Sequence, residues 1–379
     1  MDDTLGMTTV LRATDSAAFL GIVPSLAGFT PRRSIVLLPF HGSRTEGAMR
    51  LDLPHEGIDL EAYADAAVGL VSRVAGTEAM AAVVYTDEEG QATPDGLVLP
   101  HAVAVDELLG CAEEAGLRVV DALCVTPGGW SSYIEDAPVL RPLTQIPSPP
   151  EVPASVGDVS GDQSAGAELP RVDLAEKERV GRAALELAAL LDQEGTGRVT
   201  GRENPQLIAA LVLLEDVPAF FESVLAAPDT LPPFATATLL WCLARPMLRD
   251  VAIAQWATDQ AGGARALEAQ TVFAESGGMI PDEVGRVFLG QGPAPDVDRL
   301  RLALSVVRAA AARAPRASRP APLTAAAWLS WAQGRATHAG RYLAMVREID
   351  PDYSLAALLE TMIGGAVLPE WAFQRGSAQ

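Results

Sequence analysis

The chain has 379 residues, of which 49% are hydrophobic and 20% are charged, which is typical of a globular protein long enough for two domains. Its formal net charge of −21 repels the phosphate backbone, so we expect no nucleic-acid partner. No apolar stretch reaches the roughly 18 to 20 residues that a membrane span needs, so we expect no membrane association.

The first elements are predicted between residues 11 and 54. Asp15 stands at a helix N-cap position, and the helix that follows ends at Gly28. Residues 34–40, SIVLLPF, form a β-rich apolar run of the length of a strand covered on both faces. Residues 48–53 alternate as the return strand of a hairpin. The stretch therefore predicts helix, strand and hairpin in close succession.

The alternation of strands and helices continues to about residue 140. Further strands are predicted at 80–85 and 117–125, with helices from Asp59 to about residue 76 and from residue 101 or 104 to 115. Such alternation favours an α/β domain with a mixed sheet, in which the strands joined by helical crossovers are parallel and the hairpin is antiparallel.

The remaining chain is predicted to be helical. Residues 141–171 are rich in Pro, Gly and Ser and predict a linker or mobile loop, followed by an all-α domain over 172–379. Its predicted helices span 173–193, 205–214, 217–227, 233–244, 246–259, 264–275, 281–289, 297–313, 323–333, 335–349 and 354–363.

Sequence signatures of common catalytic and cofactor sites are absent. The four histidines are scattered, without metal-ligand spacing, and Lys177 is the single lysine, which excludes a Walker-type phosphate loop. GxSxG and GxGxxG are also missing. Three cysteines in apolar runs favour a reducing cytosol. We therefore predict no cofactor and no metal, and we favour a protein that is not an enzyme.

The best candidate site lies where two predicted strands end. Loops at the carboxyl ends of crossover-linked strands commonly bind ligands. Two Gly residues could present backbone N–H groups to an anion, Trp130 a stacking face, Ser132 a hydroxyl and Asp87 a carboxylate. Arg12, Arg32 or Arg50 could act as an anion clamp. The candidates are Asp87, Gly128, Gly129, Trp130, Ser132 and Arg32. The alternative, favoured about two to one, is that Gly-Gly makes a simple turn while Trp130 and Tyr133 pack the sheet against the helical domain.

Three sets of charged residues are read chiefly as surface features. The pairs Arg202-Glu203 and Arg249-Asp250 are interpreted as ordinary helix-surface pairs, with buried interhelix pairs as the alternative. Residues 299–320 contain six arginines and no acid. This run is interpreted as a solvated helix face that continues into a mobile loop; docking of an anionic partner, or of the chain's own acidic linker, is the alternative.

The last helices resemble one tetratricopeptide repeat unit. The resemblance rests on Trp331, Gly334, Ala339, Tyr342, Ile349-Asp350-Pro351 and Ala356. A single unit cannot bury both of its faces, so we expect it to close the helical domain or to pack on its neighbours.

Nearly the whole chain resembles an actinobacterial family known as domain of unknown function 4192. The residues that carry this resemblance are Asp15, Pro24, Gly28, Phe29, Pro31, Ser34, 84–87, 116–117, Asp121, Val125, Trp130, Ser132, Tyr133, 202–203, 249–250, 328–351, Leu355 and Trp371. The resemblance implies a cytosolic protein of this two-part layout and brings no activity with it. Similar proteins carry a Cys-Cys-Pro segment after the Trp-Ser-Tyr element, whereas this chain has residues 135–142, EDAPVLRP.

Two hypotheses about function remain. In the first, this is a non-catalytic interaction or scaffold protein whose helical domain presents a groove to another protein. In the alternative, it is a small-molecule sensor or an enzyme with a pocket at the strand ends of the α/β domain.

Overall fold

The computed structural model describes residues 12–45, 47–94, 96–150, 159, 161–191, 204–227, 231–277, 282–365 and 367–373. The chain divides into two compact units, one up to residue 165 and one from residue 166. The first is an α/β unit and the second is helical, which confirms the predicted fold class. None of the described helices is long and apolar enough to cross a membrane.

The first unit contains three helices and seven strands in its described residues. In chain order they are α1 Ser16–Ala27, β1 Ser34–Phe40, β2 Met49–Asp52, α2 Leu60–Ser72, β3 Ala79–Tyr85, β4 Gln91–Thr93, β5 Gly96–Val98, α3 Ala102–Glu114, β6 Arg118–Thr126 and β7 Gly129–Ser132.

Five of these strands form one mixed sheet in the order β2-β1-β3-β6-β7. Strand β1 is antiparallel to both β2 and β3, so β2 and β3, which α2 connects, run in the same direction. Strand β3 is parallel to β6, and β6 is antiparallel to β7. The crossover-linked strands are thus parallel and the first hairpin is antiparallel, as the sequence predicts.

Helices cover both faces of this sheet. On one face, Leu20 and Val23 of α1 pack with Val36 and Leu38 of β1. On the other face, α2 and α3 pack together over a layer that includes Leu37. Every residue of β1 is buried, which explains why its sequence is an unbroken apolar run.

Local signals position α1 as the sequence predicts. The Asp15 carboxylate accepts a hydrogen bond from the backbone N–H of Ala18, 2.8 Å away, at the N-terminus. At the other end Gly28 has a φ of 77° and its N–H donates to the carbonyl of Pro24. Both ends of α1 are therefore fixed by residues within or next to the helix.

Two parts of this unit differ from the sequence prediction. Residues 126–133, predicted as a loop, instead continue into the edge strand β7, whose four residues are too few to show a strand pattern. The hairpin of β4 and β5 was not predicted, because its two strands have three residues each. Part of the segment predicted as a linker also pairs with this unit: Arg141 pairs with Trp130, and Asp162 pairs with Thr30.

The second unit contains eleven α-helices in its described residues and no described strand. They are α4 Leu174–Leu191, α5 Pro205–Leu213, α6 Val217–Ser223, α7 Pro233–Leu243, α8 Pro246–Ala257, α9 Gln260–Ser276, α10 Asp282–Phe288, α11 Val297–Arg313, α12 Pro320–Ala332, α13 Ala336–Arg347 and α14 Ser354–Gly364.

Helix α12 lies at the centre of the second unit. All of its residues are buried, and it packs against α11 and α13. Trp256, Trp328, Trp331 and Tyr342 are among the largest fully buried side chains. The helix pair α12 and α13 covers the tetratricopeptide-like stretch, and that likeness stays a resemblance.

The structure corrects the interpretation of two sets of arginines. Arg249 is 7% exposed and forms an ion pair with Asp250, so this pair is a buried one. Within the arginine run, Arg313 is 9% exposed and Arg299 binds Glu222 through both of its terminal nitrogens. A solvated helix face is therefore wrong for these residues. The pair at residues 202–203 lies outside the described residues.

Candidate functional site

Asp87 and Arg32 lie at the sheet end where β3 ends and β1 begins. One carboxylate oxygen of Asp87 is 3.8 Å from Nη2 of Arg32, and the other is 3.9 Å from Nε of Arg33. All three side chains are at least 60% exposed. Arg32 is held through its backbone, since its N–H and carbonyl both bond to the Gln163 side chain. These two predicted residues come together, but on an open surface.

Gly128 and Gly129 form the turn between β6 and β7. A Cβ atom on Gly129 would lie 2.5 Å from the carbonyl oxygen of Arg141, and the φ of Gly129 is 152°. A Cβ on Gly128 would lie 2.6 Å from a carboxylate oxygen of Glu89. The chain itself fills the space around both glycines, and a carboxylate beside Gly128 opposes the approach of an anion.

Ser132 lies three residues away from that turn, inside the sheet. It is 5% exposed, and its hydroxyl donates to the carbonyl of Ala122 (3.2 Å) and lies 3.4 Å from a carboxylate oxygen of Asp121. The other oxygen of Asp121 accepts a bond of 2.6 Å from the hydroxyl of Ser16. Ser132 thus belongs to a network that joins β6, β7 and the start of α1.

Trp130 is buried on the sheet face that α1 covers. It is 5% exposed and packs in the same apolar cluster as Val125 and Ile146. Its backbone makes two hydrogen bonds with Arg141, of 2.9 and 2.8 Å, and the Arg141 guanidinium carbon lies 4.9 Å from the centre of the indole ring. The ring of Trp130 is therefore part of the apolar core of the first unit.

A cavity of about 220 Å³ lies beside this cluster, under the second half of α1. Its walls are mainly apolar, and Tyr85, the last residue of β3, contributes the one phenol. The lining residues are Leu20, Gly21, Pro24, Thr30, Tyr85, Val125, Ile146, Pro147 and Pro149. The cavity is located at the carboxyl ends of β3 and β6, where the sequence predicts a pocket, but most of its lining residues differ from the predicted ones.

The Tyr85 hydroxyl is buried and has no hydrogen-bond partner among the described residues. Burial raises the pKa of Tyr85 well above its ordinary value of 10, so the phenol stays protonated and can donate a hydrogen bond. A polar group left unpaired in this way is costly. The site therefore offers a donor that nothing in the described chain uses.

Two further residues with unpartnered hydrogen-bond donors, Trp130 and Arg141, lie on neighbouring segments of the same sheet. Val125 pairs with Tyr85 on one side and with Trp130 on the other, and Trp130 pairs with Arg141. The indole Nε1 of Trp130 and the Nη1 of Arg141 are buried without a described partner, while Nη2 of Arg141 donates to Glu135, 2.6 Å away. Hydroxyl, indole and guanidinium donors of this kind bind carbonyl or carboxylate oxygens.

The model of the family described as "Domain of unknown function (DUF4192)" matches residues 17–274 and 294–370. The chain belongs to the DUF4192 family. No curated protein and no solved structure matches it. The part matched by the DUF4192 model includes Tyr85, Trp130 and Arg141 of the first unit and most helices of the second.

The structure also brings His101 close to the carboxylate of Glu88, two residues that no sequence motif connects. Nε2 of His101 is buried without a hydrogen-bond partner and lies 3.7 Å from a carboxylate oxygen of Glu88. The backbone of His101 has a φ of 58°, which is uncommon outside glycine. Among the described residues, no group of three or more His, Cys, Asp or Glu side chains could hold a metal ion.

Sequence reasoning missed Tyr85 and Arg141 as site residues. Tyr85 ends an otherwise apolar strand directly before the predicted loop at Asp87, which was the only signal available. Arg141 gave no signal, because it stands in a Pro-rich segment whose fold depends on pairing with Trp130.

Proposed function

We propose that this protein binds a small molecule in the cavity beneath α1 and does not transform it. The observation that carries the proposal is the buried, unpartnered hydroxyl of Tyr85, a residue in the wall of a mainly apolar cavity. Apolar walls with a small number of directed polar groups are typical of ligand sites. The proposed ligand has a compact apolar body and one carbonyl or carboxylate oxygen that accepts a hydrogen bond from Tyr85.

Energetics support an acceptor on the ligand. A buried hydroxyl without a partner costs about 1–3 kcal/mol, and an acceptor on the ligand recovers this. The walls contributed by Leu20, Val125 and Ile146 add favourable burial of the apolar body. Pro147 and Pro149 stiffen the segment that closes the cavity, which keeps the site formed without ligand.

The test compares Tyr85→Phe with Tyr63→Phe. Tyr63 is a matched control because its hydroxyl donates to the carbonyl of Asp52, 2.8 Å away, outside the cavity. Benzoate, cyclohexanecarboxylate and benzaldehyde serve as probes, and toluene, which has no acceptor, serves as the negative probe. Binding is followed by ligand-detected NMR and by the shift of the thermal unfolding midpoint.

We expect Tyr85→Phe to weaken binding of the acceptor probes by about 5- to 10-fold, the value of one hydrogen bond, and to leave toluene binding unchanged. Tyr63→Phe should leave all binding unchanged and lower the stability instead. Equal binding of benzoate by wild type and Tyr85→Phe, or no saturable binding of any probe, would contradict the proposal.

A second candidate function is protein interaction through the helical unit. A cleft of about 370 Å³ between α8, α9 and α10 has an apolar floor, and Arg265, Glu268 and Glu283 stand among its lining residues. The floor consists of Ala254, Ala266, Ala269, Val272, Val284 and Val287. The proposed occupant is a partner helix with an apolar face and a basic flank, because two carboxylates outnumber one guanidinium at the cleft.

The test of this second candidate fills the cleft. Ala269→Trp should abolish capture of the partner by the tagged full chain, and Glu268→Lys together with Glu283→Lys should weaken it more at low than at high salt. Glu275→Lys, on the exposed end of α9 outside the lining, is the charge-matched control. Equal capture by Ala269→Trp and wild type would exclude the cleft as the docking surface.

The proposal also includes the compartment. A reducing cytosol is supported by the three cysteines, Cys111, Cys124 and Cys242, which are all free in the structure. The net charge of −21 supports the absence of a nucleic-acid partner.

A further inference from the structure

We propose that the helical unit carries a second, separate site, for a phosphate group, formed by Arg301, Arg308, Arg335 and the hydroxyl of Tyr342. These residues lie on α11 and at α13, two helices that both pack against α12. The site involves no residue of the cavity beneath α1, so it stands or fails independently of the function proposed above.

The topology places the four side chains together. Arg301 and Arg308 are seven residues apart and therefore lie on the same side of α11, two turns from each other. Arg335 immediately precedes α13, and Tyr342 is seven residues further along. Short connections join α11 to α12 and α12 to α13, and the guanidinium groups of Arg301 and Arg308 on α11 lie close enough to Arg335 to act on it electrostatically.

Two buried polar atoms at this site have no partner among the described residues. They are the hydroxyl of Tyr342, a residue that is 0% exposed, and the Nε of Arg308. Arg308 lies next to the Tyr342 hydroxyl, and the charges of Glu168 and Arg335 also act on Tyr342. An oxyanion here would accept from the phenol O–H and from the Nε of Arg308, the two atoms that have no acceptor among the described residues.

The positive charge at the site is poorly neutralised. Partial burial lowers the pKa of Arg335, and the charges of Arg301 and Arg308 lower it further. No carboxylate pairs with Arg335 in the described part of the chain, whereas Arg301 has Asp298 at 2.8 Å. Glu168 also acts on Tyr342, but its carboxylate contacts Arg341 at 3.9 Å and is largely exposed. Arg308 donates to the backbone carbonyl of Glu168, which carries no net charge.

Phosphate fits this set of donors better than a carboxylate does. Guanidinium groups form paired hydrogen bonds with phosphate oxygens, and a phosphate dianion offers enough oxygens for several arginines and a phenol. The N-terminal end of the 12-residue helix α13 adds a favourable field beside Arg335. Arg335 is exposed as a residue, so a ligand can reach the site from solvent. In a chain of net charge −21, such a site is selective because the rest of the surface repels anions.

The test titrates the full chain with inorganic phosphate at pH 7.5 and constant ionic strength, which is held with sodium chloride. Binding is followed by ³¹P NMR line broadening and by the thermal unfolding midpoint. Glycerol 3-phosphate and adenosine monophosphate are separate arms that distinguish free phosphate from a phosphorylated small molecule. Sodium acetate is the carboxylate arm.

The variants are Arg335→Gln, Arg335→Lys and Tyr342→Phe, with Arg182→Gln as the charge-matched control. Arg182 lies on the exposed side of α4, paired with Glu178. We expect Arg335→Gln to weaken phosphate binding about 10-fold. Arg335→Lys keeps the positive charge but loses the paired N–H donors of the guanidinium, so it should weaken binding by a smaller factor. Tyr342→Phe should weaken binding about 5-fold, whereas Arg182→Gln should leave it unchanged.

The proposal is overturned if phosphate binding does not saturate, if sodium chloride at the same ionic strength reproduces the shift, or if Arg335→Gln and Arg182→Gln bind alike. Circular dichroism checks that each variant is folded. If Tyr342→Phe does not fold, the two Arg335 variants, which alter an exposed residue before the helix, still decide the question.

Discussion

Arg313 of α11 and Glu176 of α4 form an ion pair in which the guanidinium is almost completely buried. Arg313 also donates to the carbonyl of Leu231 and the hydroxyl of Thr236, both 2.7 Å away. One side chain thus connects α4, α7 and α11, three helices that are far apart in the sequence. It carries a charge into the core, where it is acceptable only with all its partners in place.

Arg313→Met should therefore destabilise the helical unit by about 1.5–3 kcal/mol, because it removes the buried donor to the Leu231 carbonyl and the Thr236 hydroxyl and leaves Glu176 with Arg179 as its one remaining arginine partner among the described residues. Urea unfolding followed by circular dichroism measures the change. Arg182→Met removes an exposed partner of Glu178 on the same helix as Glu176 and should cost less than about 1 kcal/mol. Similar losses for the two variants would show that the Arg313 pair does not support the fold.

The pair of Arg299 and Glu222 predicts a specific dependence of stability on pH. The hydrogen bonds from Arg299 hold the pKa of Glu222 below its ordinary value of 4.5, with a further contribution from Gln255. A lowered folded-state pKa means that this stabilisation is fully present above about pH 4.5 and is lost as the pH falls through the folded-state value.

Glu222→Gln should accordingly be less stable than wild type at pH 7 and should lose less stability between pH 5 and pH 3. The measurement is the free energy of urea unfolding at closely spaced pH values. Parallel curves for the two proteins would mean that Glu222 has the same pKa in the folded and unfolded states. Glu178→Gln, on the exposed face of α4, makes the same substitution at a 70% exposed side chain and serves as the control.

The network of Ser16, Asp121 and Ser132 predicts a structural role for Ser132. Asp121→Ala removes the acceptor of the 2.6 Å bond from Ser16, so it should cost about 1–3 kcal/mol in unfolding free energy. Ser132→Ala should cost less, since its bonds are 3.2 Å or longer, and should leave probe binding in the cavity unchanged. If Ser132→Ala loses benzoate binding, Ser132 takes part in ligand binding, as the sequence predicts, and its role is not only structural.

Elements that depend on neighbouring residues were predictable from the sequence. Asp15 and Gly28 fix the ends of α1 through bonds within four residues, and the predicted bounds of α11 agree with the observed ones. The apolar run of β1 predicted a strand covered on both faces, and all seven of its residues are buried. In each case the residues whose interactions determine the element are close together in the sequence.

The site could be predicted only by position in the sheet. A cavity lies at the strand ends, and Tyr85 lines it together with residues of α1 and with Pro147, which are distant from it in the sequence. Likewise, Arg141 is placed by its backbone hydrogen bonds to Trp130. Asp87 lies near Arg32 and Arg33 on the exposed surface. Such contacts join segments that are distant in the sequence, so a local sequence pattern does not reveal them. Contacts of the same kind determine which arginines of the helical unit are buried.

The close approach of the chain at Gly129 gives a final prediction about the site. Gly129→Ala would place a Cβ 2.5 Å from the carbonyl of Arg141, in a backbone conformation that side chains rarely adopt. It should cost about 1–3 kcal/mol and weaken benzoate binding, because the strand pairing that positions Trp130 is forced apart.

Gly69 of α2 provides the opposite case for comparison. It is exposed in the helix interior, and an added Cβ would meet nothing within 4 Å. Gly69→Ala should therefore stabilise the protein by about 0.5–1 kcal/mol and leave benzoate binding unchanged. Urea unfolding and NMR titration of the two variants measure both effects. If Gly129→Ala is as stable as wild type and binds benzoate normally, the contact between Gly129 and Arg141 does not shape the site.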